Sequence, residues 1–98
     1  MRAKDRKKKP YKVRWFKQTS SCCPSQWEGK LKDNRMFYVR YRWGVLTVDV
    51  SDNPTDLVKD CFEKGQEILF QQIGDGFDGK LSEEQMIEIL ENNNFILK

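Results

Sequence analysis

The run Met36-Phe37-Tyr38-Val39-Arg40-Tyr41-Arg42-Trp43-Gly44-Val45-Leu46-Thr47-Val48-Asp49-Val50 decides the fold. Its first half alternates, with Phe37, Val39 and Tyr41 on one side and Tyr38, Arg40 and Arg42 on the other. Trp43-Gly44 is a two-residue turn in which glycine accepts the positive φ such turns require. Residues 45–50 then return with Leu46, Val48 and Val50 on one face. Period two with a single apolar side predicts an antiparallel hairpin buried on one face only.

Further strands are expected upstream. Residues 26–31 read as a short strand, joined to the hairpin by the turn Lys32-Asp33-Asn34-Arg35. Residues 11–19 alternate as well, with Tyr11, Val13 and Trp15 opposite Lys12, Arg14 and Phe16. The small polar stretch of residues 20–25, with its proline, reads as a loop. Trp27 and Trp43 are expected to plug the ends of the sheet.

Downstream the period changes. Asn53 as cap, Pro54 at the first helical position and Asp56 in the first turn predict a helix start. Leu57, Val58, Cys61 and Phe62 would form its apolar stripe, and Gly65 would end it after Lys64. Residues 67–73 fit a further helical turn or a strand. Asp75-Gly76-Phe77-Asp78-Gly79 reads as a loop. Ser82 with Gln85 three residues on is a capping box for a last helix. Leu81, Met86, Ile89 and Leu90 would be its buried face, and Asn92-Asn93-Asn94 its end. The expected fold is α+β: a three- to four-stranded antiparallel meander with two C-terminal helices packed on one face. Residues 1–10, without apolar periodicity and closed by Pro10, are expected to be a disordered basic arm preceding a single domain over residues 11–98.

Charge divides the chain more sharply than the total suggests. Residues 1–50 carry fourteen Lys/Arg against four Asp/Glu, a net +10, and residues 51–98 carry four against eleven, a net −7, within an overall +3. Such a field steers partners more than +3 implies. Arg2, Lys4, Arg6, Lys7, Lys8 and Lys9 lead into Lys12, Arg14 and Lys17, interleaved with Tyr11, Trp15 and Phe16. Cations beside flat rings suit phosphate backbones and stacked bases. Tyr38, Arg40 and Arg42 on one strand face extend the same chemistry.

Several function classes are disfavoured. With no His and three Cys, the chain lacks the commonest general base and falls one thiolate short of an all-cysteine zinc site. Cys22-Cys23 and Cys61 read as reduced, inert thiols. Residues 74–85 place Asp78, Gly79 and Leu81 as a calcium loop would. However, Gly74, Gly76 and Gln85 stand where three main ligands belong. No metal, cofactor or catalytic residue is therefore expected. Asp56, Asp60, Glu63, Glu67, Glu83, Glu84, Glu88 and Glu91 make an acidic helical surface, either solvated or facing a basic protein. No apolar run reaches the roughly 20 residues of a membrane span, and a cytoplasmic protein is expected.

The stretch Cys23-Pro24-Ser25-Gln26-Trp27-Glu28-Gly29, followed by Tyr38-Val39-Arg40-Tyr41-Arg42-Trp43-Gly44, resembles small bacterial and phage proteins. These carry a PSQWEG segment, a turn, a Y-(I/V)-RYR-(W/Y)-G hairpin and a GxLS helix start. The resemblance spans residues 22–90 and leaves the arm outside. It implies a prokaryotic or viral source and no particular activity. For a phage source it implies a host-directed inhibitor. The functional expectation is a non-enzymatic module, monomeric or a small homo-oligomer, that engages a nucleic-acid–protein assembly. Its phosphate contacts would come from the N-terminal basic residues and the Tyr38/Arg40/Arg42 face. The alternatives are a protein-protein inhibitor and a binder of anionic nucleotides.

Overall fold

A computed structural model describes residues 10–74 and 80–97. In chain order the elements are β1 (Tyr11–Ser21), β2 (Ser25–Leu31), β3 (Met36–Arg42), β4 (Val45–Val50), α1 (Lys59–Glu63), β5 (Gln66–Gln72), α2 (Glu83–Glu91) and β6 (Phe95–Ile96). All strands join one sheet in the order β5-β4-β3-β2-β1-β6, antiparallel throughout except for the parallel β1–β6 pair. The α+β class is as expected, but the meander of three or four strands is a curled sheet of six. The two edges of that sheet, β5 and β6, flank a common hollow beside the end of α2.

The inner face is built by alternation. Trp27, Leu31, Phe37, Val39, Tyr41, Leu46, Val48 and Val50 are all buried, and Leu81, Met86, Leu90 and Phe95 close over them. Burying a side chain of this kind contributes about 1.5–3 kcal/mol, and α2 supplies the covering layer. Its start is the expected capping box: Ser82 Oγ accepts from the Gln85 amide at 3.1 Å, and Gln85 Oε1 accepts from the Ser82 amide at 3.2 Å. Past Asn94, Phe95 turns back to stack on Tyr11, centroids 4.8 Å apart, and to meet Phe37 at 5.5 Å. This two-residue strand was not foreseen.

β1 departs from plain alternation. Val13 pairs with Leu31 and Trp15 with Lys30, so the register shifts at Arg14. A bulge of this kind moves the side chains that follow it to the other face, here up to a second shift between Gln18 and Ser20. Phe16 therefore packs on the core, whereas Trp15, expected beside Val13, is 40% exposed. The strand continues to Ser21, beyond the predicted loop start, and the sulfurs of Cys22 and Cys23 are bonded to each other rather than free.

The helix expected from residue 53 reduces to the single turn of α1. Ser51 Oγ accepts from the Met36 amide at 3.0 Å and donates to the Asn53 carbonyl at 2.9 Å. Thr55 Oγ1 accepts from the Leu57 amide at 3.1 Å and donates to Asp60 Oδ2 at 2.7 Å. Such local side-chain bonds offer the backbone an alternative to the helix. Leu57 and Phe62, assigned to an apolar stripe, are more than half exposed. Residues 66–72 resolve as a strand. The helices also lie on opposite faces: α2 covers the inner one, while α1 lays Phe62 against Tyr38 of the outer one, centroids 5.3 Å apart. The expectation of both helices on one face is thus corrected. The arm, apart from Pro10, and the 75–79 loop lie outside the described residues.

Two glycines are fixed by close approach. A Cβ on Gly29 would stand 2.5 Å from the Phe37 ring and 2.5 Å from the Trp15 carbonyl oxygen, and one on Gly65 would collide with the carbonyls of Val50 and Cys61. Gly65→Ala meets two backbone carbonyls at closer range, whereas Gly29→Ala meets one carbonyl and a ring, so Gly65→Ala is expected to destabilise more. Gly29→Ala should lose about 1–3 kcal/mol. Denaturant midpoints at unchanged m-value check the order.

Candidate functional site

With the inner face covered, the chemistry of the sheet lies on the outer one. Register sets its rows. One row runs Lys17, Glu28, Tyr38, Asp49, Glu67 across β1 to β5. The next runs Gln26, Arg40, Thr47, Phe70, and a third runs Arg42, Val45, Gln72 towards the hairpin tip.

The first row is acidic at its centre. Lys17 Nζ stands 3.6 Å from Glu28 Oε2. Asp49 faces Glu67 directly; partial burial, and then the Glu67 charge, push the Asp49 carboxyl above its ordinary 3.8. Tyr38 accepts a hydrogen bond from the Gln26 amide, and its phenol is raised above 10.0, chiefly by burial. Lys30, buried along most of its side chain, pairs with Asp56. Cys61 is the buried residue of α1, and burial holds its thiol as the neutral form by pushing the pKa up to about 12. No group of three metal-ligating side chains forms among the described residues.

The hairpin tip differs. Trp43 and Gly44 both have positive φ, 56° and 77°, the pair of left-handed residues that a type I′ turn needs and that Asn-Gly fills most readily. A bulky residue there costs roughly 1–2 kcal/mol. The strained Trp43 is 61% exposed rather than plugging the sheet, whereas Trp27 is fully buried as foreseen. The Arg42 guanidinium lies over the Trp43 ring, 4.1 Å from its centroid, a distance at which cation–π attraction operates. Arg40 Nε is buried with no hydrogen-bond partner among the described residues. Across Thr47 stands Phe70, 65% exposed. Together Arg40, Arg42, Trp43, Val45, Thr47 and Phe70 line a shallow, open hollow of about 320 Å³.

The candidate residues named from the sequence are therefore divided. Arg40 and Arg42 meet at the tip, with Tyr38 one row away beside the carboxylates. Lys12 and Arg14 lie at the opposite end of the sheet near Lys32 and Arg35. There Arg14 Nη2 donates to the Lys32 carbonyl at 3.1 Å, and the Lys12 carbonyl accepts from the Lys32 amide at 2.8 Å. Lys17 is engaged with Glu28 between the two groups. Arg2, Lys4, Arg6, Lys7, Lys8 and Lys9 lie outside the described residues. Sequence reasoning missed Phe70, whose alternation with Leu69 becomes informative only once residues 66–72 are known to be a strand.

The raised Asp49 carboxyl has a consequence for stability. The fold binds its proton more tightly than the unfolded chain does, so the ionised group disfavours folding at neutral pH. That penalty fades as pH falls through the raised pKa and is gone below the ordinary 3.8. Asp49→Asn should stabilise the protein at pH 7 and lose its advantage over wild type towards pH 4, read from paired urea melts. A constant difference at both pH values would contradict the assignment.

No protein-family model matches this chain, and no curated protein or solved structure matches it either.

Proposed function

We propose that the protein is a non-enzymatic cytoplasmic binding module that engages nucleic acid, or an assembly carrying it, through phosphate contacts made by its basic N-terminal half. The observation that carries this reading is the hairpin tip, where two guanidiniums stand beside two exposed aromatic rings. Arginine suits this task because its planar fork matches phosphate oxygens and stacks on rings.

The arrangement implies two anchor points rather than one track. Lys12, Arg14, Lys32 and Arg35 gather around the β2–β3 turn, and Arg40 and Arg42 lie towards the other end of β3, about 20 Å away at strand spacing. The acidic row of Glu28, Asp49 and Glu67 between them repels a backbone lying flat across the sheet. A bound strand would therefore touch the two ends and rise over the middle.

A second reading has its own support. Exposed Trp, Phe and Arg in one patch also make the energetic centre of protein interfaces, which fits a phage-type inhibitor of a host protein. In that case the arm is passive.

Salt dependence separates the two. Binding of the full chain to generic single- and double-stranded DNA and RNA should weaken steeply with salt. A form lacking residues 1–10 should bind far less. Arg40→Ala and Arg42→Ala should each flatten the log–log slope by about 0.7–0.9 for every phosphate contact removed. Absence of binding to any of these at low salt overturns the nucleic-acid reading.

A further inference from the structure

Resting on that nucleic-acid reading, we infer that the hollow between Trp43 and Phe70 receives one unpaired base, so that the protein selects single strands over duplexes. Four observations converge on this hollow. It is lined by the short side chains of Val45 and Thr47 together with the exposed rings of Trp43 and Phe70. Its volume, about 320 Å³, sits at the small end of ligand pockets, which start near 300 Å³. Trp43 holds a left-handed backbone conformation that Asn would adopt with less strain, yet its ring is presented to solvent. Strain kept where a side chain is displayed points to use of that side chain. Phe70 is likewise displayed, at the middle of an edge strand, where nothing in the described fold packs over it.

The chemistry favours a base over other occupants. A base brings a flat π face for Phe70 or the free part of Trp43. Its own phosphate balances Arg42 and the exposed part of Arg40. An apolar protein side chain would fill the same space but leave two cations desolvated. In a duplex the bases are stacked and paired, so none can enter a recess; in a single strand every base can unstack into one.

The test uses the full chain with three probes at one salt concentration: a fluorescent dT 12-mer, a 12-base-pair duplex, and heparin, a polyanion without bases. Phe70→Ala should weaken dT binding roughly 5- to 150-fold, the 1–3 kcal/mol that one stacked base is worth. It should leave the salt slope, duplex binding and heparin binding unchanged. Phe70→Tyr, which keeps a ring, should restore dT binding. Trp43→Asn should raise Tm through the relieved turn while weakening dT binding, opposite directions that a merely structural role would not produce. Equal loss on all three probes, or no loss on dT, overturns the base slot while leaving phosphate binding intact. If wild-type protein binds none of the three at low salt, the parent reading fails and this inference with it. Tighter binding to duplex than to dT would also overturn the slot.

Discussion

Trp27 is the constraint on which the rest of the molecule depends. Its indole is fully buried at the centre of the inner face, and a buried indole N–H requires an acceptor. Glu83 supplies it, Oε1 accepting at 3.2 Å from the first turn of α2. The contact joins β2 to a helix 56 residues later and sets where that helix begins. Ser25, also buried, adds a second tie by accepting from the Leu81 amide at 3.1 Å. With α2 fixed over the inner face, the opposite face of β2, β3 and β4 is left for everything polar. Location of the site is thus a consequence of the core.

The same geometry rearranges the charges. Along the chain a basic half precedes an acidic half, which reads as a simple dipole. In space β5, from the acidic half, lies beside β4 and places Glu67 next to Asp49, while the segment before α1 brings Asp56 to Lys30. Acidic residues therefore run through the middle of the outer face, where Lys17 and Lys30 are paired with Glu28 and Asp56, while Lys12, Arg14, Lys32 and Arg35 lie towards one end and Arg40 and Arg42 towards the other. Coulombic attraction between exposed charges fades over about 10 Å at 0.1 M salt, so the two ends act as separate local fields.

Legibility followed the range of the interactions involved. The β3–β4 hairpin was read to the residue because alternation and a two-residue turn are local facts. The capping box at Ser82 was equally local. The segment before α1 misled because Asn53-Pro54 has the composition of a helix start, while Ser51 and Thr55 hydrogen bonds hold the backbone elsewhere. Gln66–Gln72 is too short and too mixed for periodicity to separate strand from helix; only its pairing with β4 decides. Phe95–Ile96 is a strand solely because β1 lies beside it, and the bulge at Arg14 reversed Trp15 and Phe16 without any mark in composition. Within the candidate site, Arg40, Arg42 and Tyr38 were legible from their shared strand face. Phe70 was not, since its neighbours in the site are more than twenty residues away.

Where the levels of organisation disagree, they disagree in one place. Alternation, turn chemistry, capping and core packing support each other through most of the sheet and α2, as a sequence selected for one fold should show. At the hairpin tip they conflict: a bulky residue holds the first left-handed position of a tight turn, a large ring stands free on an edge strand, and a buried guanidinium nitrogen has no acceptor among the described residues. Each alone is a small local penalty. Arg40 and Trp43 belong to one hairpin, but Phe70 is remote from both in sequence, and only the sheet brings it to them. Conflicts that fold stability alone would remove tend to persist where function needs them. The tip of β3 and β4 is for that reason the surface we propose as the working one.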